Sequence, residues 1–288
     1  MVLNICSLKH GTIQNINIPG STIIMNSQPI GIFDSGIGGL TVCKAIHEML
    51  PYENLIYFGD TARFPYGTRS PETLIRYARQ ITAYLLSRNV KMIVIACNTS
   101  SAAALPILEQ ENTIPIIGVI NAGARAACRR VYNNIIGVIG TRATVKSGSY
   151  QKAIHAIKPE VKVIQQQATL LVSLIEEGWV DDEVTKLTIK KYLQHMIDEK
   201  TKTVILGCTH FPILKETIRT VYPQLDLVDT SEEIAREVKE ILVKKNLANN
   251  SSSGKIELYA SDITDTMHYL KSLFFNGDDV PVEKLTIG

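Results

Sequence analysis

The sequence predicts an α/β fold of two pseudo-symmetric domains, each a mostly parallel sheet flanked by helices, with the active site in the cleft between them. From Pro29 onward, short apolar runs alternate with helical patterns, which is typical of a parallel sheet covered by helices. The runs are rich in β-branched residues and almost continuously apolar, as in strands buried on both faces. Segments of the first half recur in the second, which predicts two related halves.

Eight segments fit buried strands, in chain order Ile30–Phe33, Leu55–Phe58, Met92–Ala96, Ile116–Val119, Ile135–Ile139, Lys162–Gln165, Thr203–Leu206 and Leu225–Val228. Helical patterns lie between them. Pro71–Arg88 begins with a proline, which is favoured in a first turn, and follows Ser70, a residue suited to capping. Asp181–Glu199 opens with two aspartates, whose charge suits the positive end of a helix dipole. After Gly254, "KIELYASD" predicts one more strand, and a helix follows through Phe275.

Two pairs of similar segments carry the internal repeat. "IGIFDSGIGGLTV", from Ile30, and "IGVIGTRATVKSG", from Ile136, each place a strand before a turn with small hydroxyl residues. "IVIACNTSSAAALP" and "TVILGCTHFPIL" each end an apolar strand with a cysteine, Cys97 in one and Cys208 in the other. Ligands of open parallel sheets bind beyond the carboxyl ends of the strands. Two such halves facing each other would therefore place the two cysteines on opposite walls of one cleft.

Composition and charge exclude several classes of function. The 288 residues carry 30 lysines and arginines against 28 aspartates and glutamates, so the net charge of +2 gives no reason to expect a nucleic acid or a membrane as partner. The five cysteines form no C-x-x-C pair and no metal-type spacing with the six histidines, so no metal site is predicted. An odd cysteine count without a pattern indicates a reducing cytoplasm.

The glycines of "GIFDSGIGGLTV" raise the question of a phosphate-binding loop, since glycines after a strand let backbone N–H groups approach an anion. The spacing disagrees with G-x-G-x-x-G, because Thr41 stands where the third glycine belongs. It also disagrees with a P-loop, because the first lysine after these glycines is Lys44. Asp34 adds a negative charge that repels a phosphate and suits a ligand with an ammonium group.

Two thiols on opposite walls suit a proton transfer that inverts a stereocentre. A thiolate is a competent base when its pKa is lowered, and a helix N-terminus lowers it. Cys97 and Cys208 are both predicted to stand where a strand meets a helix. If one thiolate removes a proton and the opposing thiol returns one to the other face, the configuration inverts without a cofactor. The alternative is that both are small buried hydrophobic residues, as free cysteines often are.

Five motifs together resemble those of the glutamate racemases of bacterial cell-wall synthesis, in order and spacing: "FDSGIGGLTV", "YFGDTARFPYGTRS", "ACNTSSAAALP", "GVIGTRATVKSGSY" and "GCTHFPIL". The resemblance runs from about Pro29 to the C-terminus. It implies a cofactor-independent 1,1-proton transfer between L-glutamate and D-glutamate, the D form being a peptidoglycan precursor. It also implies a homodimer, and some members of that family need a peptidoglycan-precursor activator.

The resemblance further implies that the C-terminal segment returns to the first domain. We therefore predict a first α/β domain of residues 29–121 and 230–288 and a second of residues 122–229. Residues 1–28 fit neither domain and are predicted to be a disordered or dispensable extension. Met25 lies shortly before the first strand, so a translation start at that methionine is the alternative.

By the same resemblance, Cys97 is the base that acts on D-glutamate and Cys208 the base that acts on L-glutamate. Asp34 and His210 match the residues that assist the two thiols. His210 lies two residues beyond Cys208, where it can share the proton of that thiol. Glu176 matches a carboxylate that supports the histidine. The matches for substrate binding are Asp34, Ser35, Tyr66, Gly67, Asn98, Thr99, Thr141, Thr144, Thr209 and His210.

Some of these matches have an ordinary structural alternative. The threonines could cap helices, and Glu176, like its neighbour Glu177, could be a solvated helix charge. The chain also departs from the family in one place, because "QATLLVSLIEEG" has Thr169, Leu170 and Ser173 where the family commonly has Ala-Cys-Pro. That cysteine is not one of the two bases, so the chemistry is expected to survive.

Other functions fit the sequence less well. An aspartate racemase is the runner-up, but it is expected to carry glutamate after Cys-Thr, where this chain has His210. A non-catalytic binder with the same fold would not need both cysteines together with Asp34 and His210. A cysteine phosphatase needs a nearby arginine, which "CNTSSAAA" lacks, and a disulfide oxidoreductase needs C-x-x-C.

Overall fold

The computed structural model describes residues 26–249, 253–263 and 280–287. The strands in these residues are β1 (Ile30–Asp34), β2 (Leu55–Gly59), β3 (Met92–Ile95), β4 (Ile116–Gly118), β5 (Ile135–Gly140), β6 (Lys162–Gln167), β7 (Thr203–Gly207), β8 (Asp226–Val228), β9 (Ile256–Ala260) and β10 (Val282–Lys284). They form a six-stranded sheet of order β10-β9-β2-β1-β3-β4 and a four-stranded sheet of order β6-β5-β7-β8. Every paired neighbour is parallel, as the buried apolar runs predict.

The helices of the described residues are α1 (Leu40–Met49), α2 (Pro71–Ser87), α3 (Asn98–Glu111), α4 (Val119–Arg130), α5 (Arg142–Ser147), α6 (Ser149–His155), α7 (Leu170–Glu176), α8 (Glu183–Asp198), α9 (Lys215–Val221) and α10 (Thr230–Lys244). Short 3-10 helices occupy Thr61–Arg63, Tyr66–Thr68 and Phe211–Leu214. Among these residues, we find no helix with the length and apolar character needed to cross a membrane.

The two sheets repeat one strand order. In the first sheet β2-β1-β3-β4 are neighbours, and in the second β6-β5-β7-β8 follow the same pattern. The predicted repeat is therefore visible in the topology, with β1 equivalent to β5 and β3 equivalent to β7. The residues of β1, β2, β3 and β7 are all buried. Full burial of each large apolar side chain contributes about 1.5–3 kcal/mol, so these central strands anchor both halves.

The predicted element boundaries need small corrections. Val119, predicted to end a strand, instead begins α4, and β8 begins at Asp226 rather than at Leu225. Helix α2 ends one residue early, at Ser87, while its predicted start is confirmed, with the Ser70 hydroxyl accepting from the N–H of Thr73. Helix α8 begins at Glu183, so the two predicted aspartates lie before it. Asp182 is its N-cap, and the carboxylate of Asp182 accepts from Val184 N–H.

The last described strands join the first sheet. Strand β9, predicted from "KIELYASD", pairs with β2 along its full length. The helix predicted to follow it lies outside the described residues, as do residues 1–25 of the predicted extension. Residues 26–28 of that extension hydrogen-bond to the folded chain: Asn26 Nδ2 donates to Asn246 O, and Ser27 O accepts from Asn54 Nδ2. Helix α10 packs against α1 and also against α4.

Candidate active site

One cavity lies beyond the carboxyl ends of both sheets, and both predicted bases line it. Its residues follow strands β1, β2 and β3 of the first sheet and β5, β6 and β7 of the second. This is the expected place for a ligand site, because ligands of parallel sheets bind beyond the carboxyl ends of the strands. Ten predicted site residues line this cavity: Ser35, Tyr66, Gly67, Cys97, Asn98, Thr99, Thr141, Cys208, Thr209 and His210.

Cys97 stands at the N-terminus of an α-helix, as predicted. It is the residue before α3, its sulfur accepts from Ser100 N–H at 3.4 Å, and its thiol donates to Ser35 Oγ at 3.6 Å. Only 4% of the residue is exposed. The thiol is therefore held by Ser35, in the loop after β1, and by Ser100, in the first turn of α3.

The pKa of the Cys97 thiol is raised, although its sulfur stands at a helix N-terminus. Burial, together with a smaller effect of the charge of Asp34, raises the pKa of the Cys97 thiol to about 11. The N–H of Ser100 and the hydroxyl of Ser35 lower it by less. Loss of water contact thus outweighs the favourable dipole at this position.

Cys208 occupies a different local structure. It follows β7 directly, at the predicted junction of a strand and a helix, but the helix that follows is the short 3-10 helix Phe211–Leu214 rather than an α-helix. Its sulfur lies 3.9 Å from Nδ1 of His210. The other ring nitrogen of His210, Nε2, lies 3.2 Å from Oε1 of Glu176 at the end of α7. A thiol, an imidazole and a carboxylate therefore form a chain on this wall.

The imidazole of His210 retains its proton at neutral pH. The ring is 1% exposed and its centroid lies 5.8 Å from that of the Phe64 ring. Burial alone lowers the pKa of His210, but the contacts and charges of Cys208 and Glu176 more than reverse this and raise it to about 10. Cys208 and Glu176 thus stabilise the positive charge of the ring.

Asp34 lies behind the cavity wall and organises the glycine loop. Its Oδ2 accepts from the N–H groups of Gly36 and Gly39, both at 3.1 Å, and its Oδ1 accepts from Thr209 Oγ1 at 3.4 Å. The carboxylate is fully buried, and burial raises its pKa, although the charge of His210 and the backbone N–H groups lower it in part. Asp34 thereby joins the loop after β1 to the turn after β7.

A glycine is required where this loop meets the opposite wall. A Cβ at Gly38 would lie 2.6 Å from Thr209 Oγ1 and 2.7 Å from Nδ1 of His210, both too close for a side chain. The glycines of this loop therefore permit close approach of the two halves, which answers the question raised by their resemblance to a phosphate-binding loop.

Three threonine hydroxyls form a buried triangle between the halves. Oγ1 of Thr99 lies 2.8 Å from Oγ1 of Thr141 and 3.3 Å from that of Thr144, and the last two are 3.1 Å apart. Thr141 also accepts from Thr144 N–H, so it caps α5 as well. The triangle ties α3 of the first half to the β5–α5 turn of the second.

Tyr66 and Gly67 lie on the short 3-10 helix Tyr66–Thr68. The hydroxyl of Tyr66 donates to Oδ2 of Asp60, which also accepts from Arg63 Nε at 2.6 Å. That hydroxyl is already engaged with a buried carboxylate. Gly67 packs on Thr141, since a Cβ there would lie 2.8 Å from Thr141 Cβ. This segment therefore closes the cavity against the second half.

Three predicted site residues do not line the cavity. Asp34, Thr144 and Glu176 stand one layer behind it, touching Thr209, Thr141 and His210 respectively. Six lining residues were not predicted. Three of them belong to the motif that contains Tyr66 and three to the segment that departs from the family pattern, two segments already singled out in the sequence. The six are Phe64, Pro65, Thr68, Thr169, Val172 and Ser173.

The lining is neutral apart from His210. Among the described residues that form the cavity wall, neither a lysine nor an arginine occurs. An anionic ligand would therefore be held by hydroxyls, amides, backbone N–H groups and the imidazolium of His210 rather than by a guanidinium clamp.

Comparison with known proteins gives close matches over most of the chain. A sequence-family model described as Asp/Glu/Hydantoin racemase matches residues 30–238. A glutamate racemase of Geobacter metallireducens is 49% identical over 236 residues, which cover 81% of this chain and 87% of that protein.

Two solved structures of glutamate racemases share the fold. The Francisella tularensis enzyme, in complex with D-glutamate, matches with a TM-score of 0.86 and 38% identity, over 91% of this chain and 98% of that one. The Escherichia coli enzyme, in complex with L-glutamate and the activator UDP-MurNAc-ala, matches with a TM-score of 0.76 and 30% identity, over 91% and 99%. By these matches, the chain belongs to the Asp/Glu/Hydantoin racemase family.

Proposed function

We propose that this chain interconverts L-glutamate and D-glutamate by a cofactor-independent transfer of the Cα proton, and so supplies D-glutamate for peptidoglycan synthesis. The observation that carries this proposal is the placement of Cys97 and Cys208, two free and buried thiols that line one cavity from different sheets. The relatives named above support glutamate as the substrate.

In the direction from L to D, the thiolate of Cys208 removes the Cα proton, and the C–H electron pair enters the adjacent carboxylate as an enediolate. The thiol of Cys97 then gives its proton to the opposite face of Cα, which leaves Cys97 as the thiolate and Cys208 as the thiol. The reverse direction exchanges the two roles. General acid–base catalysis of this kind contributes about 10²–10⁴-fold per positioned group.

His210 and Asp34 assist from behind the thiols. His210, protonated and 3.9 Å from the sulfur of Cys208, stabilises the thiolate on that wall, and Glu176 fixes the orientation of the ring. The negative charge of Asp34 favours the protonated thiol of Cys97 and attracts the ammonium group of the substrate.

Neutral donors hold the two carboxylates of glutamate. Ser35, Asn98, Thr99 and Thr141 place hydroxyl and amide groups on the cavity wall, and Tyr66, Gly67 and Thr209 line it beside them. Since a cationic clamp would bind substrate and transition state alike, neutral donors leave more of the binding energy for the reacting centre.

The assembly and cellular setting are part of this proposal. We propose two domains, each built on one of the two sheets: residues 29–121 with 230–288, and residues 122–229. The working thiols require a reducing compartment, which supports a cytoplasmic location. A peptidoglycan precursor like the UDP-MurNAc-ala of the Escherichia coli complex is a candidate activator, and its addition to the assay tests that role.

A homodimer is proposed from the resemblance to the family, with glutamate as the small-molecule ligand of each copy. Large apolar side chains that are 46–61% exposed occur between residues 170 and 187, namely Leu170, Trp179, Val184 and Leu187. Such side chains give an association an apolar surface. Light scattering coupled to size exclusion measures the mass, and Trp179→Arg with Leu187→Arg should reduce it to that of one chain.

The substrate is tested by circular dichroism, which follows the loss of optical activity from L-glutamate and from L-aspartate separately. We expect loss with glutamate and little with aspartate. Loss with aspartate alone would replace the proposal with the runner-up function, and loss with neither would leave the chain without racemase activity. A Cys128→Ala variant is the matched control for the cysteine variants below, because Cys128 is buried and free but outside the cavity.

A further inference from the structure

We propose that Tyr150 is a positioning residue, which holds the side-chain amide of Asn98 so that its nitrogen faces the substrate. The inference rests on the proposed function, since it assigns a binding direction to a residue of the same cavity. Tyr150 lies in the motif "GVIGTRATVKSGSY", but neither that motif nor the resemblance selects it.

Tyr150 reaches across from the other half of the molecule. It lies on α6 and is fully buried, and its hydroxyl donates to Oδ1 of Asn98 at 2.6 Å. Asn98 is the first residue of α3, directly after Cys97, and is 2% exposed at the cavity wall. One hydrogen bond thus links a helix of the second half to the residue beside a proposed base of the first.

The other end of the same amide is unpartnered. Nδ2 of Asn98 is buried and makes no hydrogen bond to any atom of the described residues. A buried polar group without a partner costs about 1–3 kcal/mol, so such a donor is unusual unless a ligand completes it. Glutamate offers carboxylate oxygens, which can accept a hydrogen bond from the N–H₂ group of an amide at this wall.

The hydroxyl of Tyr150 decides which end of the amide faces inward. A protonated phenol can donate as well as accept, and here it donates to the oxygen of Asn98, which turns the nitrogen of the amide away from Tyr150. Burial raises the pKa of Tyr150 far above its usual range, with a smaller contribution from the charge of Cys208, so the proton stays on the hydroxyl. Without this bond the amide could rotate by half a turn and present its oxygen to a carboxylate, which would repel it.

The ring of Tyr150 is itself fixed by two glycines. A Cβ at Gly123 would lie 3.3 Å from Cε1 of the ring, and a Cβ at Gly207 would lie 3.1 Å from Cε2. Gly207 directly precedes Cys208. The ring therefore packs on the backbone that carries one proposed base, while its hydroxyl holds the residue next to the other.

The first test is Tyr150→Phe, which removes the hydroxyl and keeps the ring. We expect KM to rise about tenfold for both enantiomers, the loss of one hydrogen bond, with a smaller change in kcat. Tyr84→Phe is the control, because the Tyr84 hydroxyl also makes a side-chain hydrogen bond, which it accepts from Arg88, but lies outside the cavity. An unchanged KM in Tyr150→Phe would overturn the proposal.

A double-mutant cycle separates positioning from a general structural effect. If Tyr150 acts through Asn98, Tyr150→Phe should add little to the rise in KM already caused by Asn98→Ala. Full additivity of the two effects would contradict the proposal. Because all values are relative to a racemising wild type, a wild type without activity would refute the proposed function instead.

Asn98→Asp provides a test that does not depend on the folding of a Tyr150 variant. With the Tyr150 hydroxyl bonded to one oxygen, the second oxygen faces the substrate carboxylate, so we expect KM to rise about a hundredfold. Normal affinity for glutamate in Asn98→Asp would show that Nδ2 does not face the substrate and would overturn the proposal.

Discussion

The two walls of the cavity repeat one strand arrangement but hold their thiols differently. Cys97 caps an α-helix and contacts the hydroxyl of Ser35, and burial keeps its pKa high. Cys208 caps no α-helix and contacts His210, whose charge is supported by Glu176. The repeat thus determines where the two sulfurs lie. The loops after the strands determine which groups contact each thiol and so influence its protonation.

This difference cannot favour one enantiomer at equilibrium. L-glutamate and D-glutamate have equal free energies, so kcat/KM must be the same in both directions whatever the walls contain. The asymmetry of the walls therefore has to appear in how each thiol exchanges its proton. In the proposed mechanism, the imidazolium of His210 stabilises the thiolate of Cys208, whereas the charge of Asp34 favours the protonated thiol of Cys97.

Removing either sulfur should give the largest effect. Cys97→Ala and Cys208→Ala are each expected to lower racemisation by about 10³-fold or more, because inversion needs an acid and a base on opposite faces. The measurement is the circular dichroism assay, with Cys128→Ala expected to retain activity. Near-normal turnover in either cavity variant would show that the two walls do not work as a pair.

Removing the imidazole should affect turnover next most strongly. His210→Asn is expected to lower kcat/KM by about 10²-fold, equally in both directions, since the thiolate of Cys208 loses its charged partner. His155→Asn is the matched control, because its ring contacts Val161 O away from the cavity. Unequal kcat/KM values for the two enantiomers would indicate an error in the assay, and an unchanged value would remove His210 from the reaction.

Asp34→Asn tests the electrostatics of the Cys97 wall. The charge of Asp34 raises the pKa of the Cys97 thiol, so its removal should lower that pKa and make the thiolate available at lower pH. The pH profile of Cys97 alkylation by iodoacetamide, followed by mass spectrometry, should shift toward lower pH. A shift in the opposite direction would show that the loop geometry held by Asp34, rather than its charge, controls the thiol.

Glu176→Gln is expected to have the smallest effect, and on stability. The pKa of His210 is raised to about 10, so its pairing stabilises the fold fully below about pH 6.5 and is lost as pH rises through about 10. The variant should therefore lose about 1 kcal/mol of unfolding free energy near pH 6.5 and progressively less toward pH 10. Urea unfolding across this range measures it.

Glu177→Gln is the control for that experiment, since it removes a neighbouring exposed carboxylate of the same size. It should leave the unfolding free energy unchanged at every pH. An equal loss in both variants would indicate a general charge effect of the helix end rather than a specific pair with His210.

Much of the fold follows from the sequence because its physical causes are local. Continuous apolar runs such as Ile30–Phe33 can be buried on both faces only in a covered parallel sheet, and Ser70 and Pro71 begin a helix by their own chemistry. The ends of elements depend on tertiary contacts. Val119, for example, is predicted to end a strand, but Gly118 is the N-cap of α4 and Val119 is the first residue of that helix.

The site could be predicted in part. Motif and repeat together led to the cavity-lining residues around Cys97 and Cys208. They could not give the pKa of Cys97, because it depends on burial by residues distant in sequence, such as Tyr66 and Leu74, which outweighs the local helix terminus. Nor could they give the bond between Tyr150 and Asn98, which joins residues 52 positions apart through the packing of the two halves.

The central claim is that each thiol serves one face of Cα, and hydrogen exchange at Cα in D₂O tests it most directly. In Cys97→Ala, the remaining Cys208 should exchange the Cα proton of L-glutamate with retention of configuration and leave D-glutamate untouched. In Cys208→Ala, the remaining Cys97 should exchange D-glutamate alone. Loss of the Cα–H signal in proton NMR reports both. Exchange of both enantiomers in one single variant, or of the opposite one, would contradict the account.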